Sequence, residues 1–201
     1  VTPIRLLDRL EQGATLALFV WLCVRLWPQD WASVQGLSAL LLVSEGLVVA
    51  LLLIRRPTEN ISRRPRDWAI AAGGTFLAMA VGPGGAPIAA APGFVLILVG
   101  IVVQIAAKVH LGRSFGLVAA NRGVKSHSVY GIVRHPMYAG YMIAHVGFLL
   151  LAPSWTNLAI YGAVWALLVA RIHAEEAMLS ADDAYRQFQA RVRFRLAPGV
   201  Y

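Results

Sequence analysis

Arg134-His135-Pro136 stands immediately before an apolar run, and Tyr138 follows three residues after His135. Proline suits the first turn of a helix, where its missing N–H leaves no bond unmade, and the residue before it favours extended backbone. A helix starting at Pro136 presents unpaired N–H groups and a partial positive charge, a seat for a carboxylate or phosphate. Arg134 and His135 add side-chain donors at that end. His135 and Tyr138 share one helical face. The alternative is that Arg134 and His135 cap the helix and touch lipid headgroups.

A second group is Arg171-Ile172-His173-Ala174-Glu175-Glu176. Arg171 and Glu175 are four apart, so they can pair on one face of a helix. An arginine fork holds an anionic group, and an acid beside it accepts a proton or favours a cation. On spacing alone the same pattern also describes a solvated helix turn.

Other chemistries lack their residues. Gly73-Gly74 and Gly82-Pro83-Gly84-Gly85 follow no strand and have the wrong spacing for a dinucleotide loop, so they read as helix packing and a turn, with no Rossmann domain. No Cys/His set has metal-ligand spacing, and His135 and His145 are too far apart to be neighbouring ligands on one helix. There is no motif for Ser-His-Asp catalysis. Cys23 is the one cysteine, so no intrachain disulfide can form.

The elements that must position these groups are membrane helices. The 201 residues are 58% hydrophobic and 14% charged, with a mean hydropathy of +0.64, outside the usual range of a soluble domain. Six segments reach or approach spanning length: 13–27, 36–54, 68–82, 93–111, 138–152 and 156–172. None shows the alternation of barrel strands, so the fold class is all-α, a polytopic bundle of about five to six spans. Glu45, inside the second run between Ser44 and Gly46, needs a partner at that depth, with Gln104 or a histidine as candidates.

The formal net charge of +8 does not form a soluble nucleic-acid-binding face. Arg5 and Arg9, then Arg55 to Arg66, then Arg113 to Arg134, then Arg171 to Arg195 fall on alternate sides of the spans, which by the positive-inside rule are cytoplasmic. Both termini are expected there, with the first run retained as a span. The connections at 28–35 (with Asp30), 83–92 and 152–156 should face outward, and Trp21, Trp27, Trp31, Trp68 and Trp155 suit the interface.

One domain covers 1–201: 1–107 holds N-terminal spans without candidate catalytic groups, and 108–201 holds every histidine and both constellations. Residues 174–192 are expected as a cytoplasmic helix beside the membrane.

Val133-Arg134-His135-Pro136-Met137-Tyr138-Ala139-Gly140, then a helical hairpin broken near Ala152-Pro153-Ser154, then Arg171 with Glu175-Glu176-x-x-Leu179, then Tyr185-x-x-Phe188-x-x-Arg191-Val192, resembles the isoprenylcysteine carboxyl methyltransferase family. Phospholipid N-methyltransferases share much of this pattern. The resemblance implies an integral-membrane enzyme that binds S-adenosylmethionine on the cytoplasmic side and methylates a lipophilic acceptor from the bilayer. It places Tyr130, His135 and Tyr138 in the cofactor pocket, with Arg134 at the helix start and Glu176 closing it. Arg171 and Glu175 fall at the reaction centre. Other readings are an amine or thiol methyltransferase, a sterol-type membrane reductase, and a lipid-binding protein without catalysis.

Overall fold

The computed structural model describes residues 3–28 and 36–201. Among them are seven α-helices: α1 (Pro3–Arg25), α2 (Gly36–Leu53), α3 (Pro65–Phe76), α4 (Ala90–Leu111), α5 (Pro136–Leu151), α6 (Trp155–Leu179) and α7 (Asp183–Arg191). An isolated antiparallel bridge, Ile61 with Ala120, is the β-type pairing seen among these residues. Asp30 and Trp31, in a connection expected to face outward, lie outside the described residues.

The helices pack as a bundle with polar ties at each end. At one end Asn157, at the start of α6, ties the turn after α3: its Nδ2 donates to Gly82 O at 3.0 Å and to Ala152 O at 2.9 Å, and Gly82 N–H donates back to Oδ1 at 3.1 Å. Ser154 caps α6 by accepting from Asn157 N–H at 3.0 Å. Gly84 lies so close to Ala152 that an added Cβ would sit 2.3 Å from its carbonyl carbon. At the other end gather the basic connections. Arg56 N–H donates to Arg113 O at 2.9 Å, Ser62 N–H to Ala119 O at 2.9 Å, and Asn121 Nδ2 to Asp182 Oδ2 at 2.9 Å.

Two helices among the described residues are long and apolar enough to cross a bilayer, Ala90–Ser114 (α4 with a following 3₁₀ turn) and Trp155–Leu179. Ser38–Leu53 and Pro136–Leu151 are apolar but shorter. The segment expected at 68–82 begins earlier, at Pro65, and its α-helix ends at Phe76, followed by a 3₁₀ turn over Leu77–Ala80. Its Gly73 and Gly74 face Leu167 of α6, at 3.3 and 3.7 Å from their would-be Cβ positions. The helix expected over 174–192 is divided. α6 continues to Leu179, and α7 starts afresh because Asp182 accepts from Ala184 N–H at 2.9 Å. Short polar side chains compete with the helix for backbone groups in this way.

The α4–α5 pair carries the tightest packing. A Cβ on Gly100 would lie 2.6 Å from Gly140 O, and one on Gly147 would lie 2.6 Å from Gly93 O. Glycines seven apart on both helices leave a seam along which backbones touch, as in membrane helix pairs joined by small residues. That seam fixes the start of α5, which carries His135 and Tyr138. Around it a core of Phe19, Val48, Leu52, Ala107, Met137, Val164, Leu168 and Ile172 joins α1, α2, α4, α5 and α6.

Glu45 pairs with neither expected partner. Lys108 Nζ lies 3.3 Å from its Oε1 and donates to Ser44 Oγ at 2.7 Å. Lys108 is one turn beyond Gln104 on the same face of α4. It has the reach that Gln104, wedged against Gly140, lacks.

Candidate active site

His135 lies outside the helix with φ −127° and ψ 59°, and Pro136 takes the first helical position of α5. The chain after α7 runs beside it: Arg134 N–H donates to Phe194 O at 2.9 Å and His135 N–H to Arg195 O at 2.8 Å. The buried Arg134 guanidinium ties the same segment, donating from Nη1 to Val192 O and Arg193 O, each at 2.7 Å, and from Nε to Glu176 Oε1 at 2.8 Å.

Glu175 and Glu176 diverge from adjacent positions of α6. Glu176 is held by Arg134, by His135 Nε2 at 3.2 Å and by Arg195 Nε at 2.9 Å. Glu175 accepts from the Tyr138 hydroxyl and, on the same oxygen, from Arg171 Nε at 3.2 Å. Its other oxygen lies 3.8 Å from His135 Nδ1. His135 therefore sits between the two carboxylates. Its ring stacks on that of Tyr138 at 5.7 Å, and the Arg171 guanidinium lies over Tyr138 at 5.3 Å. The arginine's Nη2 is 3.5 Å from Gly116 O.

These groups border a cleft that opens to solvent. Its walls include Tyr130, Arg134, His135, Met137, Tyr138 and Glu175, with Val118, Arg122 and Lys125 from the loop before α5 and Tyr185 and Phe188 from α7. Glu176 and Arg171 are not in the lining. The first braces Arg134 and His135, and the second stands behind Tyr138. Burial pushes the phenols of Tyr130 and Tyr185 above their ordinary range, the Tyr185 shift being increased by Glu176, so both stay protonated. The Tyr185 hydroxyl is buried without a hydrogen-bond partner, a donor that a ligand in the cleft can satisfy.

Four histidines take no part. His110 contacts Ala106 O and His173 contacts the Tyr201 hydroxyl. His145 accepts from Trp165, and His127 precedes the 3₁₀ turn of Tyr130. The N-terminal helices do contribute: Asp8 and Glu11 of α1, with Arg55, form a buried ionic cluster with Arg122 of the cleft wall. The legible signal was two acids three apart in a segment otherwise basic and apolar, Asp8 and Glu11.

Fold and site together define a helical membrane protein whose polar cleft is assembled at the basic end of an apolar bundle, from α5, α6 and the segments around them. Residues 88–186, just under half of the chain, match the phospholipid methyltransferase family. The chain is 35% identical over 94 residues to protein-S-isoprenylcysteine O-methyltransferase A of Arabidopsis thaliana, covering 44% of this chain and 48% of that one. It is 31% identical over 101 residues to protein-S-isoprenylcysteine O-methyltransferase of Schizosaccharomyces pombe, covering 46% of this chain and 43% of that one. The alignment thus spans about half the length of these curated relatives. The fold is similar to a solved structure described as the eukaryotic intramembrane Ras methyltransferase, isoprenylcysteine carboxyl methyltransferase, with a TM-score of 0.55 and 18% identity over 94% of this chain and 74% of that one. At that identity the likeness is one of fold.

Proposed function

We propose that this protein transfers a methyl group from S-adenosylmethionine to the carboxylate of an isoprenylated cysteine drawn from the bilayer. The observation that supports it most is the placement of Arg171, Glu175 and Tyr138 where the polar cleft meets the apolar bundle. A water-soluble cofactor and a lipophilic acceptor can meet there.

The cleft suits an adenosyl sulfonium ligand with an amino-acid end. When bound, that cofactor supplies an electrophilic methyl group. His135 and the start of α5 receive a carboxylate. Glu175 and the Tyr138 face favour a cation. Tyr130 and Tyr185 present donors and aromatic surface, and Arg134 and Glu176 hold His135 and the tail behind it in register. Arg171 orients the acceptor's anionic group, and Glu175 fixes the arginine's direction. A carboxylate acceptor needs no general base, so positioning provides most of the rate.

In the membrane, α1, α2, the α3 segment and α5 cross with α4 and α6, and the basic end with the cleft and both ends of the chain faces the cytoplasm. The phospholipid methyltransferase match favours a second acceptor class, an amine headgroup, for which Glu175 would take the proton.

Calorimetric titration of the purified protein with S-adenosylmethionine and with NADPH separates methyl transfer from reduction: saturable binding of the first alone is expected. Incubation with labelled cofactor and a membrane lipid extract, followed by mass identification of the product, names the acceptor. Saturable NADPH binding, or cofactor binding with no labelled product, would count against the proposal.

A further inference from the structure

The ionic cluster beneath the cleft is built from both halves of the chain. Glu11 Oε1 accepts from two consecutive amides of the loop before α5, Leu117 N–H at 2.7 Å and Val118 N–H at 3.2 Å. Its other oxygen pairs with Arg55 Nη1. Asp8 Oδ1 accepts from Arg122 Nη2 at 2.6 Å and Arg55 Nη2 at 3.1 Å, and its Oδ2 accepts from Thr58 N–H at 3.2 Å. The four charged side chains are 2% exposed or less.

Desolvating two acids and two arginines is costly, and an apolar joint of similar volume is often as stable or more so. What ions and directed hydrogen bonds add is register. The registered segment is Gly116-Leu117-Val118. Gly116 is gripped on one side by Arg122, whose Nη1 would lie 2.5 Å from any Cβ there. On the other side its carbonyl meets Arg171 Nη2 at 3.5 Å. The Arg171 guanidinium also meets Glu175 and the Tyr138 ring, and the loop adds a further constraint on its direction.

We propose that Glu11 is a positioning residue for the methyl-transfer centre, holding the Leu117 and Val118 amides so that the Gly116 carbonyl fixes the direction of Arg171. This rests on the reading that Arg171 orients the acceptor.

The test is a double-mutant cycle of Glu11→Ala with Arg171→Lys, on the full chain in detergent micelles, with N-acetyl-S-farnesylcysteine as acceptor. Amide hydrogen exchange over residues 115–119 is measured alongside. Glu11→Ala is expected to lower kcat about tenfold, since small misplacements of positioned groups have large rate effects. In the Arg171→Lys background its effect is expected to shrink to about twofold or less, because coupled residues are not additive. Affinity for S-adenosylmethionine should change by about threefold or less, and exchange over 115–119 should accelerate. Equal losses of kcat in both backgrounds would show a merely structural role and overturn the proposal. If Glu11→Ala does not fold, Gly116→Ala, which removes no charge, enters the same cycle with the same expected outcomes. If the wild type transfers nothing to this acceptor, the isoprenylcysteine-carboxylate reading fails, while unchanged protection of Leu117 and Val118 in Glu11→Ala overturns the role of Glu11 on its own.

Discussion

Arg171 Nε lies 3.2 Å from Glu175 Oε1, one turn apart on α6. The pair is framed by Tyr138, whose hydroxyl meets the same carboxylate oxygen and whose ring lies under the guanidinium. Since Arg171 stands behind the cleft wall, its loss should spare the cofactor and remove the acceptor's alignment. Arg171→Ala is expected to reduce kcat about a hundredfold, with affinity for S-adenosylmethionine changed by about threefold or less. Arg171→Lys keeps the charge but loses the planar fork and should recover little of the rate. Steady-state kinetics beside calorimetric titration reads both quantities.

Tyr138→Phe keeps the ring against His135 and Arg171 and removes the donor to Glu175. A half-buried carboxylate deprived of one hydrogen bond costs about 1–3 kcal/mol. The expected result is a kcat lower by about tenfold with the fold intact by circular dichroism, the loss falling on the chemical step. An unchanged kcat would show that Tyr138 acts through its ring alone.

Glu176 is the common partner of Arg134, His135 and Arg195. Glu176→Ala leaves the buried Arg134 without its carboxylate and loosens the segment after α7 that Arg134 ties down. Breaking buried pairs costs about 3–5 kcal/mol, and the solvent-facing Arg195 places this case toward the lower end. Melting of the detergent-solubilised protein should shift down, and proteolysis after α7 should accelerate. Glu175→Ala, by contrast, should change melting less than it changes kcat.

The unpartnered Tyr185 hydroxyl distinguishes a ligand donor from an idle buried group. Tyr185→Phe should leave the free protein as stable or more so, and weaken S-adenosylmethionine binding about tenfold, the effect of one well-placed donor. Burial raises the Tyr130 and Tyr185 phenols, so their stabilising contribution is full below the ordinary phenol pKa near 10 and declines as pH rises above it, where the unfolded chain ionises first. Melting temperature should fall above about pH 10, and less steeply in Tyr185→Phe.

The parts written as local patterns could be read from the sequence. Pro136 announced the start of α5, the four-residue spacing of Arg171 and Glu175 gave their pairing, and the apolar runs at 36–54, 93–111, 138–152 and 156–172 marked α2, α4, α5 and α6, while α1 and α3 begin earlier than their runs. The boundary between α6 and α7 was missed because apolar and charged residues continue through Ser180–Asp182, where side-chain capping overrides periodicity. The separate duties of Glu175 and Glu176 were hidden because adjacent residues on a helix point about 100° apart, and only the fold shows which faces the cleft. Lys108 as the partner of Glu45, and Glu11 as the holder of the loop before α5, join residues 63 and 106 positions apart. No local spacing encodes such a contact.

The most direct measurement is transfer itself. Purified full-length protein is incubated with methyl-labelled S-adenosylmethionine and N-acetyl-S-farnesylcysteine, and the product is identified by mass and by release of the label in base. The expected result is a labelled methyl ester on the cysteine carboxylate, formed by the wild type and reduced about a hundredfold in Arg171→Ala. A wild type that binds the cofactor yet labels neither this acceptor nor a lipid extract, or an Arg171→Ala protein that forms the ester at the wild-type rate, would contradict the assignment of this centre.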